Sequence, residues 1–377
     1  GDVMVCNDPY KGCTHTMDIV LFSPVFVDGA LVAITSTIAH HIDIGGKIPG
    51  TEAADSIEVF AEGLILPPLK LLEEGRPNQA IFDIIAANLR DPAACQGDLR
   101  AQIAGCRTGE RRLAELFQRT GVARARALVA SCLDYAETYM RRSLSAMKPG
   151  RYEAALTIED EATSDQPIRL QAMVELAGDR LVIDFAGSEP QRDNGLNCPI
   201  ASTISMANYA VKCVVAPGIA QNEGCNRAVE IRVPEGSILN PRRPAAVSVR
   251  HLTQQAVAEV LLKAMAPLAP ERAAAGCQIS FPTFAAGGFD DRPEKRDEET
   301  GAAPYYVISD IIGGGMGGNP VRDGISAVDT HGGNCAILSA EVVETLSPIR
   351  VLDTRLVPGS GGAGQHRGGL AMRRDYQ

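Results

Sequence analysis

Apolar and polar positions along the chain change period several times, and each change predicts an element. Two apolar-rich runs, Ile19 to Val27 and Ala30 to Ala39, flank Asp28-Gly29 and read as a β-hairpin. Residues 77–90 carry Ile81, Ile84, Ile85 and Leu89 at helical spacing. Gly97 to Met147 continues in that period, breaks near Thr120-Gly121 and stops at Lys148-Pro149-Gly150. Arg151 to Glu159, Ile168 to Leu176 and Leu181 to Phe185 then read as a meander turning at Ala177-Gly178-Asp179. Helices are predicted over 200–216 and 253–268, with strand and turn between them at 228–250. Residues 284–304, rich in glycine and charge, read as an exposed loop. Beyond them lies glycine-rich strand and loop, including Gly313 to Gly318 and Gly359 to Gly364.

Helices and strands mix here without regular β-α-β alternation. The expected class is therefore α+β, with mainly antiparallel sheets and packed helices, and not a Rossmann or P-loop fold. A division near residue 150 is expected, giving 1–150 and 151–377. Gly313 to Gly318 lacks the Gly-Lys-Ser/Thr of a phosphate loop, and such glycine runs more often mark tight turns or close packing.

Composition narrows the partners. A net charge of −10 argues against nucleic acid, whose phosphates want a basic face. No apolar run reaches the roughly 18 residues of a membrane span. Ten cysteines are scattered without a Cys-x-x-Cys pair, so buried thiols in a reducing cytoplasm are expected rather than a disulfide framework. Strand-like residues at both ends, Asp2 to Cys6 and Leu370 to Gln377, give the expectation of a piece of a longer protein.

Three of the six histidines fall in the first 41 residues. His15 and Asp18, and His40 and Asp43, share His-x-x-Asp spacing, and the hairpin should bring the two segments together. Imidazole with carboxylate suits Zn, Mn or Fe, and an ion with an open position acidifies water and polarises a carbonyl. The bland alternative is a turn capped by Asp43 with hydrogen-bonded histidines. Cys13, beside His15, is expected to be structural. His331, in Asp329-Thr330-His331-Gly332-Gly333-Asn334, sits where a backbone passes close to something; a polar loop contact is the ordinary reading. His251 and His366 offer no chemistry from sequence alone.

The same residues carry a resemblance. Asn7-Asp8-Pro9-Tyr10, Thr14-His15-x-x-Asp18, Ala39-His40-His41-x-Asp43-Ile44-Gly45-Gly46, Gly97-Asp98-Leu99-Arg100-Ala101-Gln102, Asn222-Glu223-Gly224-Cys225 and Ser360-Gly-Gly-Ala-Gly364 resemble the hydantoinase B/oxoprolinase family, in order along nearly the whole chain. The resemblance implies a B-type subunit of a two-component enzyme, in a hetero-oligomer whose A-type partner uses ATP to phosphorylate a small-molecule substrate. It implies divalent-metal ligands at His15, Asp18 and His40, with a further acidic ligand upstream of Gly1. His41 and Asp43 are then expected to orient the ligands, and His331 to stand with them or on the substrate side. Relatives open cyclic amides such as hydantoins, oxoproline and lactams, while acetone- and acetophenone-type carboxylases join a ketone to a carboxyl donor. Gly12-Cys13-Thr14-His15-Thr16-Met17 departs from the commoner Gly-Gly-Thr-His-Leu-Pro and leaves both activities open, as it leaves a non-catalytic scaffold.

Overall fold

A computed structural model describes residues 1–160, 163–279, 282–333 and 335–377. The chain begins with β1 (Val3–Cys6), β2 (Asp18–Val27), β3 (Ala30–His40), β4 (Leu69–Glu73) and the two-residue β5 (Arg76–Pro77). These form one antiparallel sheet in the order β3-β2-β1-β4-β5. Asp28 and Gly29 both have positive φ, at 51° and 77°, as a tight two-residue hairpin turn requires. The turn sets Val27 opposite Ala30, and a one-residue shift of register between Val25 and Phe26 then places Asp18 directly opposite His40. Alternate residues of β2, Ile19, Leu21, Val25 and Val27, are buried on one face.

Three helices follow: α1 (Gln79–Asn88), α2 (Pro92–Thr120) and α3 (Val122–Ser145). Asp91 caps α2 by accepting from the Ala94 amide, and Pro92 occupies the first turn, where no N–H is missed. Gly121, at φ 83°, makes the break between α2 and α3. Against β3, α2 approaches so closely that a Cβ on Gly109 would lie 2.6 Å from Thr35 Cγ2. Ile19, Leu21, Leu71, Ile85, Leu99 and Cys106 fill the core between this sheet and the helices.

The meander forms as β6 (Gly150–Ile158), β7 (Ile168–Ala177) and β8 (Arg180–Asp184). After α4 (Ile200–Val215), β9 (Val229–Arg232) adds in parallel to β8. With α5 (Arg250–Met265), α4 packs over this second sheet, and Leu170, Ile183, Phe185, Val211, Val257 and Leu261 belong to its core. Ala136, Met140 and Leu144 of α3 join the same core. The rest is β10 (Thr283–Phe289), β11 (Tyr305–Ile311), α6 (Ala340–Leu346), β12 (Val351–Leu356) and β13 (Met372–Tyr376). The fold is α+β with mostly antiparallel sheets.

One expected loop is a strand. Thr283 to Phe289 pairs residue for residue with Tyr305 to Ile311. The segment Phe284-Ala-Ala-Gly-Gly-Phe289 shows neither alternation nor branched residues, so only its partner reveals it. The exposed loop shrinks to residues 290–304. Among the described residues, no helix is long and apolar enough to cross a membrane.

Candidate metal centre

The hairpin register builds the site. Asp18 opens β2 and His40 closes β3 opposite it, while His15 lies in the turn just before β2. The His15 and His40 rings have centroids 5.0 Å apart. Asp18 Oδ2 lies 2.9 Å from His15 Nδ1 and 3.1 Å from Nη2 of Arg250, the first residue of α5, and it also accepts from the Thr14 hydroxyl. With Nδ1–H given to Asp18, the Nε2 lone pair of His15 is left to bind something else.

Glu52 completes the group. One ligating atom each from His15, His40 and Glu52 lies within 4.8 Å of the others. His251 Nδ1 stands 3.8 Å from Glu52 Oε1. These residues, with Asp18, Arg250 and His331, line a cavity of about 360 Å³. Asp18, expected as a direct ligand, also lines it, but its carboxylate is turned to His15 and Arg250.

The electrostatics favour ligand-ready imidazoles. Burial and the Arg250 charge hold the His15 pKa below its usual value. Desolvation by the surrounding protein, together with His15, lowers His40 to about 4, although the residue is exposed. Burial lowers His251 to about 3 and raises Glu52 to about 7. Burial would raise Asp18, but His15 and Arg250 overcome it and keep it a carboxylate. Neutral imidazole and ionised carboxylate are the forms that bind a divalent ion.

His41 and Asp43 do not line the cavity. His41 is fully buried, with Nε2 3.1 Å from Gln102 Oε1, and Gln102 in turn donates to the Ile19 carbonyl. Asp43 Oδ1 accepts from the Gly50 amide at 3.2 Å and Arg90 Nη1 at 2.8 Å. Its Oδ2 accepts from the Gly45 and Arg90 amides, both at 3.1 Å. The aspartate clamps the 43–50 loop to the start of α2. Cys13 is buried, and burial pushes its thiol above the usual range, which fits the structural part expected of it. His331 reaches the cavity wall from its glycine-flanked turn; burial would lower its pKa, but Cys277 and Glu259 raise it to about 9. Asn334 of that loop lies outside the described residues.

Sequence reasoning missed Glu52, Arg250 and His251. Arg250 and His251 lie more than two hundred residues from Asp18, and nothing in their local pattern marks them.

Two imidazoles, His15 buried and His40 exposed, with acidic neighbours at the end of an antiparallel hairpin make a candidate metal centre. A profile of the hydantoinase B/oxoprolinase family matches residues 1–377, and the chain belongs to that family. It is 31% identical over 388 residues to the B component of a putative D-/L-hydantoinase of Pseudomonas sp. (strain NS671), covering all of this chain and 63% of that protein. The crystal structure of the ATP-dependent caprolactamase from Pseudomonas jessenii superposes with a TM-score of 0.91 at 30% identity, over 100% of this chain and 64% of that one. A nucleotide-free acetone carboxylase shares the fold, with a TM-score of 0.88 at 21% identity over 98% of this chain and 50% of that one. The chain therefore spans less than two thirds of the length of each of these proteins.

Proposed function

We propose that this chain is the metal-bearing core of the B-type component of a two-component, ATP-dependent enzyme that opens a cyclic amide or imide of the hydantoin, oxoproline or lactam kind. An A-type partner would bind ATP and phosphorylate the amide oxygen, which turns a poor electrophile into one with a good leaving group. The observation that carries the reading is the convergence of His15, His40 and Glu52 donors within 4.8 Å in a cavity that Asp18 also lines.

The donor set fits a divalent ion. Two imidazoles held neutral and two nearby carboxyl groups suit Zn, Mn or Fe. In this reading His15, Asp18 and His40 hold the ion and Glu52 is a further acidic donor. Once bound, the ion would supply Lewis-acid polarisation and acidified water. The chain's own groups do the rest. Asp18 fixes the tautomer and orientation of His15. Arg250 places a permanent positive charge on the cavity wall, suited to an anionic, phosphorylated substrate. His41 and Asp43 hold the backbone that carries His40. The division into 1–150 and 151–377, a hetero-oligomer with the A-type partner and a cytoplasmic setting for the buried thiols belong to the same proposal.

The test uses the full-length protein together with its A-type partner. ATP-dependent turnover is measured on a panel of lactams and hydantoins, and on ketone with bicarbonate, alongside metal content. His15→Ala and His40→Ala should lose the ion and lower cyclic-amide turnover by more than about 100-fold. ATP-dependent ketone consumption would replace the hydrolase with a carboxylase. Unchanged metal and turnover in both variants would leave only a scaffold.

A further inference from the structure

A second set of donors adjoins the cavity and has no part in the function proposed above. Glu259 of α5, Cys277 and His331 bring a carboxylate oxygen, a thiol sulfur and an imidazole nitrogen within 4.8 Å of one another. Three distant stretches of chain meet there, and their backbones are committed to the meeting. The Cys277 amide donates to Glu259 Oε1 at 2.8 Å, and the Thr330 hydroxyl donates to the Gln278 carbonyl at 2.6 Å. His331 is held at φ 45°, in the left-handed region. For a residue with a side chain that conformation is uncommon, and such residues cluster at functional sites.

The ring of His331 is gripped on both sides. Nε2 lies 2.8 Å from Glu259 Oε1, and Nδ1 lies 3.3 Å from the Tyr209 hydroxyl. A metal-bound histidine characteristically gives its other ring N–H to a fixed acceptor, and Tyr209 stands where that acceptor belongs. His331 lines the first cavity, whereas Cys277 lines a separate cavity of about 330 Å³ walled by Gly315, Gly317, Gly362 and Gly368. An ion between them has a route in from solvent.

We propose that Glu259, Cys277 and His331 form a second metal site, distinct from the His15 and His40 group, that binds zinc. The thiolate selects a soft or borderline ion over Mg, Ca or Mn, and one sulfur, one nitrogen and one oxygen donor leave a fourth tetrahedral position open. On binding, the Cys277 thiol and the His331 Nε2–H each give up a proton to solvent, the Nδ1–H stays toward Tyr209, and the histidine–glutamate hydrogen bond is exchanged for two metal–ligand bonds. The ion ties the glycine-rich loops and the His331 wall of the first cavity to α5. This proposal does not rest on the hydrolase reading.

The experiment is cobalt(II) substitution in the metal-stripped full-length protein. A thiolate bound to cobalt gives an intense near-ultraviolet charge-transfer band, which a site of imidazoles and carboxylates does not. The band should appear in the unmodified protein, persist in His15→Ala/His40→Ala and vanish in Cys277→Ala. Zinc content should fall by about one equivalent per chain in Cys277→Ala and in His331→Ala. A missing band in the unmodified protein, which needs no variant to fold, overturns the proposal. So does a band that survives Cys277→Ala, or zinc that leaves entirely with His15 and His40. A thiolate band in a protein whose turnover ignores His15→Ala would sink the proposed function and leave this site standing.

Discussion

Replacing Asp43 separates a structural aspartate from a chemical one, although both aspartates sit three residues after a histidine. Asp43 is 1% exposed, and its two oxygens accept four hydrogen bonds, two each. In Asp43→Ala the Gly45, Gly50 and Arg90 amides lose their acceptor and the Arg90 guanidinium loses its partner. Removing one member of a buried ion pair costs about 3–5 kcal/mol. Arg90, 24% exposed, can regain water on its open side, which favours the lower end. About 3 kcal/mol corresponds to a roughly hundredfold change in the opening equilibrium of the loop. Asp43→Asn should rescue little, because its amide nitrogen must face two N–H donors. Asp18 is different: all three of its contacts fall on Oδ2. An asparagine there can present one oxygen to all three, and Glu52 can ionise to offset the charge lost beside Arg250. Hydrogen exchange at the Gly45 and Gly50 amides reads the loop directly, with metal content measured in parallel. Asp43→Asn should speed exchange by about tenfold to a hundredfold, whereas Asp18→Asn should alter metal binding first. If Asp43→Asn leaves exchange unchanged and sheds the metal, the clamp is wrong and Asp43 belongs with the ligands.

Other outcomes follow from single contacts. Glu62 is fully buried and accepts from the Val247 and Ser248 amides, each at 2.7 Å; burial raises its carboxyl from 4.5 to about 7 despite those bonds. Between those values the folded state holds a proton that the unfolded state releases, so this group's contribution to stability falls as pH rises from about 4.5 through about 7. Glu62→Gln should remove that slope and gain about 1–2 kcal/mol at pH 8 in denaturant titrations; an unchanged slope in the variant refutes the assignment. Gly109→Ala pushes a Cβ to within 2.6 Å of Thr35 and should cost about 1–3 kcal/mol, while Gly97→Ala, on the same helix with nothing within 4 Å, should stabilise by up to about 1 kcal/mol. Thermal unfolding that moves both variants in one direction would contradict the close approach of α2 to β3.

Local chemistry made much of the first sheet legible. Asp28-Gly29 marked the turn and the pairing of β2 with β3, but the one-residue shift between Val25 and Phe26 that sets Asp18 against His40 rather than Ala39 left no mark in the sequence. The second His-x-x-Asp segment shares the spacing of the first but not its geometry. Asp18 is the first residue of a strand and lies beside its partner, whereas the chain leaves β3 at His40 and turns through Gly45 and Gly46, both at φ 82°. Asp43 is therefore carried away from the cavity and toward Arg90. The strand at Thr283 to Phe289 was hidden because its glycines and alanines carry no period, and pairing with Tyr305 to Ile311 supplies what the side chains lack. Glu52, Arg250, Glu259 and Cys277 could not be found locally, since their relevance depends on contacts made across the fold.

Those long-range contacts explain why the site lies where it does. The segment leading into α5 is stitched to the first part of the chain: the Val59 amide donates to the Pro244 carbonyl at 2.7 Å, Tyr10 to the Ala245 carbonyl at 2.6 Å and the Ser248 hydroxyl to the Ala53 carbonyl at 3.0 Å. Glu62 takes the next two amides. This seam delivers Arg250 and His251 to histidines that belong to the other sheet. Neither core holds the complete group, because His15, Asp18, His40 and Glu52 come from one side and Arg250 and His251 from the other. A shift of α5 relative to the hairpin would therefore change the charge around Asp18 without altering any residue of the hairpin itself. The same helix also carries Glu259, so the donors around Cys277 and His331 are fixed to the element that supplies Arg250. Occupancy at one group would restrain α5 against the other, and that mechanical link is the physical reason to measure both sites in one intact protein.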